Sequence, residues 1–518
     1  MDISKMTLKE KIGQLFIVGF HSLEIDNQIE TLIKEYNAGN VILFQRNVDS
    51  IESLSKLTDS IQKLMIENNK IPAFISMDQE GGMVSRMPSD ATVFPGNMAV
   101  AASRVNGVSD KLGSFTGREL LSCGVNMNLA PVLDVNNNMK NPVIGVRSYG
   151  DDPEVVARLG KGQVRGLKGE GVVAVGKHFP GHGDTGKDSH IDLPMVPHTI
   201  ERLDRIELLP FKKCIEDGLD AIMTSHILFP TLEEENFPAT LSKKILTELL
   251  REKLGFKGLI LSDCMEMKAI SDFYGTEKAA VMAIESGVNL ICISHTLKKQ
   301  VGAMEAVYEA VKSGILKEEL IDERVSKVLE FKEKYNLNSK KTKELSENEL
   351  KEHSDYTRMV SENSITVVRD KNELIPLKKV SCVISPIARP FTIAEDKIVE
   401  INFAKDLARL INCDYINYDL NNINYDKILS NIRDNDTVVI GTMNLLSNND
   451  LQILLDKLLS ITKNVILVAL RAPYDCSYNK EEIGSAVAIY EYTQHALDSL
   501  YKILLGEVIP KGVLPVEI

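Results

Sequence analysis

Eight short apolar runs, each closing on a polar or glycine-bearing loop before a helix-period stretch, occupy the first two thirds of this chain. They are Leu15 to Val18, Val41 to Phe44, Ala73 to Met77, Met127 to Ala130, Val172 to Gly176, Ala221 to Ser225, Leu259 to Ser262 and Leu290 to Ile293. A strand with one wet face alternates apolar and polar residues; a continuous run of four or five is the pattern of a strand buried on both faces. Eight such strands alternating with helices fit a closed (β/α)8 barrel of the TIM type better than an open sheet. The residues at the carboxyl ends of the runs then matter most, because that face of a barrel carries the active site. Here they include Gln45-Arg46-Asn47, Asp78-Gln79-Glu80, Asp134 after Pro131-Val132-Leu133, Lys177-His178, His226 and Asp263.

The pattern stops near Tyr335. From there to about Arg358 the chain is charged and helix-prone, with no apolar strand, so residues 336–362 are predicted to be a linker after a barrel of residues 1–335. Runs at Val380 to Ile384, Thr437 to Thr442, Val465 to Leu470 and Ala486 to Tyr490 then alternate with helical patterns such as Leu451 to Leu459. They predict a smaller α/β domain, an αβα sandwich, over residues 363–518. The Asn-rich stretch Asn417 to Asn424 is expected to be a solvated loop. A chain of 518 residues has room for both domains.

Charge and cysteine usage exclude several classes of partner. The net charge of -13, with no run of lysine or arginine longer than two, argues against a nucleic-acid groove or an anionic membrane surface. The seven cysteines are scattered and form no C-x-x-C pair, so neither a disulfide framework nor a zinc ribbon is suggested. The amino terminus lacks a basic region followed by an apolar stretch, and no apolar run approaches the length of a membrane span, so a cytoplasmic protein is expected. The composition sets no oligomeric state.

The densest chemistry lies between Lys177 and His190, where KHFPGHGDTGKDSH packs three of the nine histidines into one loop. His182-Gly183-Asp184 sets an imidazole and a carboxylate two residues apart, with a glycine that would let the backbone bend until they meet. A carboxylate beside an imidazole fixes its tautomer and favours its charged form, the makings of an acid/base pair. The bland alternative is a loop-capping hydrogen bond. Asp263, at the end of its strand, is placed as a rigid carboxylate nucleophile would be, although an aspartate there could also cap the following helix. A divalent metal on His178, His182, Asp184 and His190 is the rival reading of the loop. The spacing matches no zinc signature, and Lys177 and Lys187 would oppose a cation, so no metal or other cofactor is expected.

The block Lys177-His178-Phe179-Pro180-Gly181-His182-Gly183-Asp184-Thr185, with Asp188-Ser189-His190 and Leu193-Pro194, resembles the signature of family 3 glycoside hydrolases in their β-N-acetylglucosaminidase branch. Further blocks follow that family's order: Asp78-Gln79-Glu80-Gly81-Gly82 with Arg86, Phe94-Pro95, Asn128 to Val135, Arg147-Ser148-Tyr149-Gly150 and Ser262-Asp263. The tail, with Arg471-Ala472-Pro473-Tyr474-Asp475, is similar to the second domain of the longer members.

The resemblance implies a retaining, two-step displacement. Asp263 would attack the anomeric carbon, while His182 paired with Asp184 would protonate the leaving oxygen and later activate water. Asp78, Arg86, Asp134, Arg147, Lys177 and His178 would hold the sugar through its hydroxyls and acetamido group. The implied substrate is a GlcNAc-containing muropeptide, cleaved from its non-reducing end during peptidoglycan recycling. The alternative is a β-N-acetylglucosaminide phosphorylase, motivated by an imidazole where most glycosidases carry a second carboxylate: less negative charge would ease the approach of phosphate.

Overall fold

The structure, a computed structural model, describes residues 3–186, 193–338, 344–387, 390, 394–395 and 401–518. All eight expected barrel strands form: β1 (Phe16–Val18), β2 (Asn40–Leu43), β3 (Phe74–Met77), β4 (Met127–Asn128), β5 (Val173–Phe179), β6 (Ala221–Thr224), β7 (Leu259–Leu261) and β8 (Ile291–Ile293). Every residue of these strands is buried, which is why they read as unbroken apolar runs. The order is β7-β6-β5-β4-β3-β2-β1-β8, with all pairs parallel. A parallel bridge between Leu261 and Leu290 returns the chain before β8 to the side of β7, closing the barrel. The longest strand, β5, extends three residues past the expected Gly176, so Lys177 and His178 are strand residues rather than loop residues.

The second domain is a mixed six-stranded sheet built from β9 (Thr366–Asp370), β10 (Cys382–Pro386), β11 (Asp414–Tyr418), β12 (Val438–Thr442), β13 (Val465–Ala469) and β14 (Ser485–Ala488). Its order is β11-β10-β12-β13-β14-β9, and only β9 runs antiparallel to its neighbour. The four expected strands are the interior ones, and the two edge strands were not expected. Edge position explains the miss: Asp414 and Tyr415 of β11 are exposed, so that strand needs no apolar run. The expected loop Asn417 to Asn424 is corrected at its start, where Asn417 and Tyr418 pair with β10.

The stretch expected as a linker holds an 18-residue helix, Glu347–Ser364, opened by a capping box between Ser346 and Glu349. Its buried residues His353, Thr357, Val360 and Ser361 recur at helical spacing on one face. His353 Nδ1 donates to the buried Glu119 Oε1 at 2.7 Å and the ring stacks on Phe115, so the helix is docked on the barrel.

The two domains share packing. Met83, Met98, Ala99 and Val146 of the barrel belong to the same apolar cluster as Ile365 and Tyr490. At that seam Glu491 Oε2 accepts the Gly96 N–H at 2.6 Å, while Thr493 Oγ1 donates to Oε1 at 3.0 Å. Burial pushes the Glu491 carboxyl up to about 7 against the opposing effect of those bonds. Gly82 has φ +58, and a Cβ there would lie 2.7 Å from Glu491 Oε2, so the second domain accounts for one glycine of the Gly81-Gly82 pair.

Candidate active site

At the carboxyl ends of the barrel strands lies a cavity of about 540 Å³, a volume suited to a small ligand. Asp78, Arg86, Arg147, Lys177, His178, His182 and Asp263 all line it. Seven of the nine expected site residues therefore converge on one pocket from β5 and the loops after β3, β4, β5 and β7. Asp134 and Asp184 do not line it.

Glu80 dominates the wall between β3 and β5, and the sequence reading gave it no role. Its carboxylate accepts from Arg147 Nε at 2.9 Å and Nη2 at 2.8 Å, and Lys177 Nζ lies 2.8 Å from Oε1. Lys177 also donates to Asp78 Oδ1 at 2.6 Å. The side chains of Glu80, Arg147 and Lys177 are 2%, 5% and 2% exposed. Burial would raise the Glu80 carboxyl, but Arg147 and Lys177 outweigh it and hold it well below the usual carboxylate range. Burial would likewise lower Lys177, yet Asp78 and Glu80 raise it, so the ammonium stays charged. Two cations and two carboxylates thus form a locked, neutral cluster whose outward face meets the cavity. The signal was present in Asp78-Gln79-Glu80: alternate residues on extended backbone share a face, and Lys177 reaches both carboxylates.

Asp134 is corrected from sugar contact to anchor. It is fully buried and surrounded by protein donors: His178 Nδ1 at 2.7 Å, His178 N at 3.2 Å and His182 N at 2.7 Å. Burial would raise its carboxyl, but the two histidines pull it below the ordinary value. An ionised Asp134 accepts from His178 Nδ1–H and so fixes the orientation of the ring.

The expected direct pair between His182 and Asp184 is not formed. His182 Nδ1 meets Thr185 Oγ1 at 2.9 Å, whereas Asp184 Oδ2 accepts from His198 Nε2 at 2.6 Å. The intervening glycine serves another purpose: a Cβ at Gly183 would lie 1.7 Å from the Val135 carbonyl oxygen, so the loop backbone packs where no side chain fits. Asn141 donates to the carbonyls of His182 and Gly183 at 2.8 and 2.9 Å and pins the turn. Burial and the neighbouring His178 lower His182 to about 4. Both effects favour the uncharged ring.

The metal reading of the loop changes as well. His178 and His182 are committed as described, and His190 and Lys187 lie outside the described residues. Asp184, His198 and Glu207 bring ligand atoms within 4.8 Å of one another. Arg202 Nη1 donates to both Glu207 oxygens at 2.8 and 2.9 Å, so a guanidinium already supplies the positive charge there.

Asp263 sits just past β7. Its Oδ1 accepts from the backbone N–H of Cys264 at 2.7 Å, which orients the carboxylate at the cavity wall. No helix cap involves it; the next helix, Lys268–Ser271, begins after Met267. The pocket therefore combines an oriented carboxylate, Asp263, with the charged cluster of Asp78, Glu80, Arg147 and Lys177. Burial holds the Cys264 thiol up at about 11, so it is not a competing nucleophile.

Residues 7–331 match the family model described as the glycosyl hydrolase family 3 N terminal domain. The chain is 35% identical over 329 residues to Beta-hexosaminidase A of Pseudoalteromonas piscicida, a match covering 59% of this chain and 55% of that protein. It therefore spans just over half the length of that relative. It is also 35% identical over 283 residues to a Beta-hexosaminidase of Alkalilimnicola ehrlichii, covering 54% of this chain and 79% of that one. Among solved structures, a glycoside hydrolase family 3 β-N-acetylglucosaminidase from Paenibacillus sp. str. FPU-7 superposes with a TM-score of 0.92 at 37% identity, covering 99% of both chains.

Proposed function

The chain belongs to glycosyl hydrolase family 3, and from that premise we propose that it is a retaining, exo-acting β-N-acetylglucosaminidase whose substrates are GlcNAc-containing muropeptides. The observation that carries the reading is Asp263, a carboxylate oriented by the backbone N–H of Cys264, lining one pocket with Asp78, Arg147, Lys177 and His178. In the first step Asp263 attacks the anomeric carbon as the glycosidic C–O bond breaks, and a loop imidazole gives its proton to the departing oxygen. In the second the same imidazole takes a proton from water, which displaces Asp263 and releases free sugar. Asp78 accepts from sugar hydroxyls, and Arg147, Lys177 and Arg86 donate to hydroxyls or to the acetamido carbonyl.

The identity of the imidazole is where the geometry departs from expectation. His182 is neutral and separate from Asp184. The loop carries a second imidazole and carboxylate at the same spacing, Asp188-Ser189-His190, outside the described residues. We assign the acid/base role to that pair and give His182 a role in shaping the pocket. Aryl β-N-acetylglucosaminides of graded leaving-group acidity test both parts. Asp263→Ala should fall to background while remaining folded, and retained turnover would remove the nucleophile assignment. His190→Ala should lose about a hundredfold or more on poor leaving groups and far less on good ones. The same graded loss in His182→Ala instead would return the acid/base role to His182. Product analysis in phosphate buffer separates hydrolysis from phosphorolysis: free sugar is expected, and sugar 1-phosphate would establish the phosphorylase.

A further inference from the structure

We propose that His226 is a positioning residue for the nucleophile, acting through the backbone of Cys264. His226 follows β6 and is 1% exposed, and it does not line the cavity. Its Nε2 lies 3.0 Å from the carbonyl oxygen of Cys264, and its Nδ1 lies 2.8 Å from Thr240 Oγ1. A carbonyl can only accept, so Nε2 carries a proton and donates it to Cys264; Nδ1 is held against Thr240 Oγ1, which also lies 3.0 Å from the Ser225 carbonyl oxygen. Thr224 Oγ1, 2.7 Å from Thr240 Oγ1, supplies a hydrogen to that oxygen in turn.

Cys264 is held at both of its backbone polar groups. Its N–H is spent on Asp263 Oδ1 at 2.7 Å and its C=O on His226. The next residue, Met265, donates its N–H to the Cys292 carbonyl at 2.9 Å, which ties the same turn to β8. Any rotation of the Asp263 carboxylate that drags the Cys264 N–H therefore pulls on the imidazole bond in the adjoining peptide plane. The nucleophile sits on a loop, but the loop is braced from β6 and β8. That bracing supplies near-attack geometry to an oxygen that must meet an anomeric carbon within a fraction of an ångström. His226 does not line the cavity, so its effect falls on the chemical step and not on sugar binding, whose partners lie on β5 and the loops after β3 and β4.

This inference rests on the reading of Asp263 as nucleophile. The experiment compares His226→Met, which keeps the volume and loses the donor, with His226→Gln, whose amide restores a donor at the reach of Nε2. The rate of glycosyl-enzyme formation is measured from the burst of aryl alcohol, and inhibition by N-acetylglucosamine reports the sugar site. His226→Met should lower the burst rate by roughly ten- to a hundredfold, the cost of a misplaced reacting group. Inhibition by N-acetylglucosamine should stay near wild type, and His226→Gln should recover most of the rate. Equal losses in the Met and Gln variants, a loss confined to sugar inhibition, or no loss would each overturn the proposal. If His226→Met does not fold, Thr240→Val decides: it leaves the ring in place but removes the hydroxyl against which Nδ1 is held. A smaller loss of the same kind is expected from it, and a wild-type burst would overturn the proposal. Failure of the nucleophile reading looks different, because Asp263→Ala would then retain turnover whatever His226 does.

Discussion

Replacing Glu80 with glutamine tests the central electrostatic claim about this pocket. Glutamine keeps the volume of Glu80 but removes one acceptor and the charge, so the cluster of Asp78, Glu80, Arg147 and Lys177 goes from balanced to one net positive charge. The Arg147 side chain is 5% exposed and has no second carboxylate within 4 Å among the described residues, where its other side-chain bond is to the Val143 carbonyl at 3.3 Å. Breaking a buried pair from one side costs about 3–5 kcal/mol, because the remaining charge is left without its partner. That is a large fraction of the 5–15 kcal/mol or so that holds a typical domain folded. The chain has no tryptophan, so far-UV circular dichroism is the signal for denaturant unfolding. Glu80→Gln, Arg147→Met and the double variant form a cycle, and the coupling should exceed about 1 kcal/mol, since each single change orphans what the other removes. The KM for an aryl β-N-acetylglucosaminide should rise about tenfold or more, as Arg147 and Lys177 lose the carboxylate that aims them. Additive stabilities, or a Glu80→Gln protein within about 0.5 kcal/mol of wild type, would refute the argument that this cluster is locked by mutual burial.

The other groups give pH-dependent or kinetic outcomes. His182 is lowered from 6.5 to about 4, so the unfolded chain binds its proton first; the corresponding stability is present above pH 6.5 and lost as pH falls through 4. The loss, about 3 kcal/mol, should be absent from a His182→Asn protein in unfolding series between pH 7 and pH 4. Glu491 has the opposite sign. Burial raises it from 4.5 to about 7, so its contribution is present below 4.5 and lost as pH rises through 7. Glu491→Gln should therefore flatten the fall in thermal midpoint between pH 5 and pH 8, and an unchanged slope would remove Glu491 as its source. Asp134→Asn should raise KM about ten- to a hundredfold, the worth of the charge-assisted bond that orients His178, and a selective loss in kcat would count against the anchor role.

What the sequence made legible follows from which partners are local. Barrel strands are buried on both faces, so β1 through β8 each announce themselves as apolar runs whatever lies around them. Strand β5 overran its expected end because Lys177 and His178 are polar residues placed on a strand by function, and no apolar count can include them. Edge strands β9 and β11 escaped for the converse reason: a strand with one neighbour need not be apolar. The same division governs the site. Asp78, Lys177, His178 and Asp263 were readable because a polar residue ending a buried barrel strand has few places to point except the mouth.

Asp134 follows the same rule and then violates its consequence. The chain turns after β4, and three donors from His178 and His182 close over its carboxylate before any ligand can reach it. The pair His182-Gly183-Asp184 failed differently. Two residues of separation permits contact, but Thr185 is nearer to the imidazole and His198 arrives at Asp184 from 14 residues downstream. Spacing can state which groups are able to meet and is silent about distant competitors for each of them. A buried histidine lowered to about 4 is also a poor donor at neutral pH, so the broken pair and the lowered imidazole point the same way. Retaining hydrolysis needs both a nucleophile held still and a proton carrier free to act twice. Under the proposed function, the rigid half is the braced turn at Asp263, and the acid half is a group other than the packed His182.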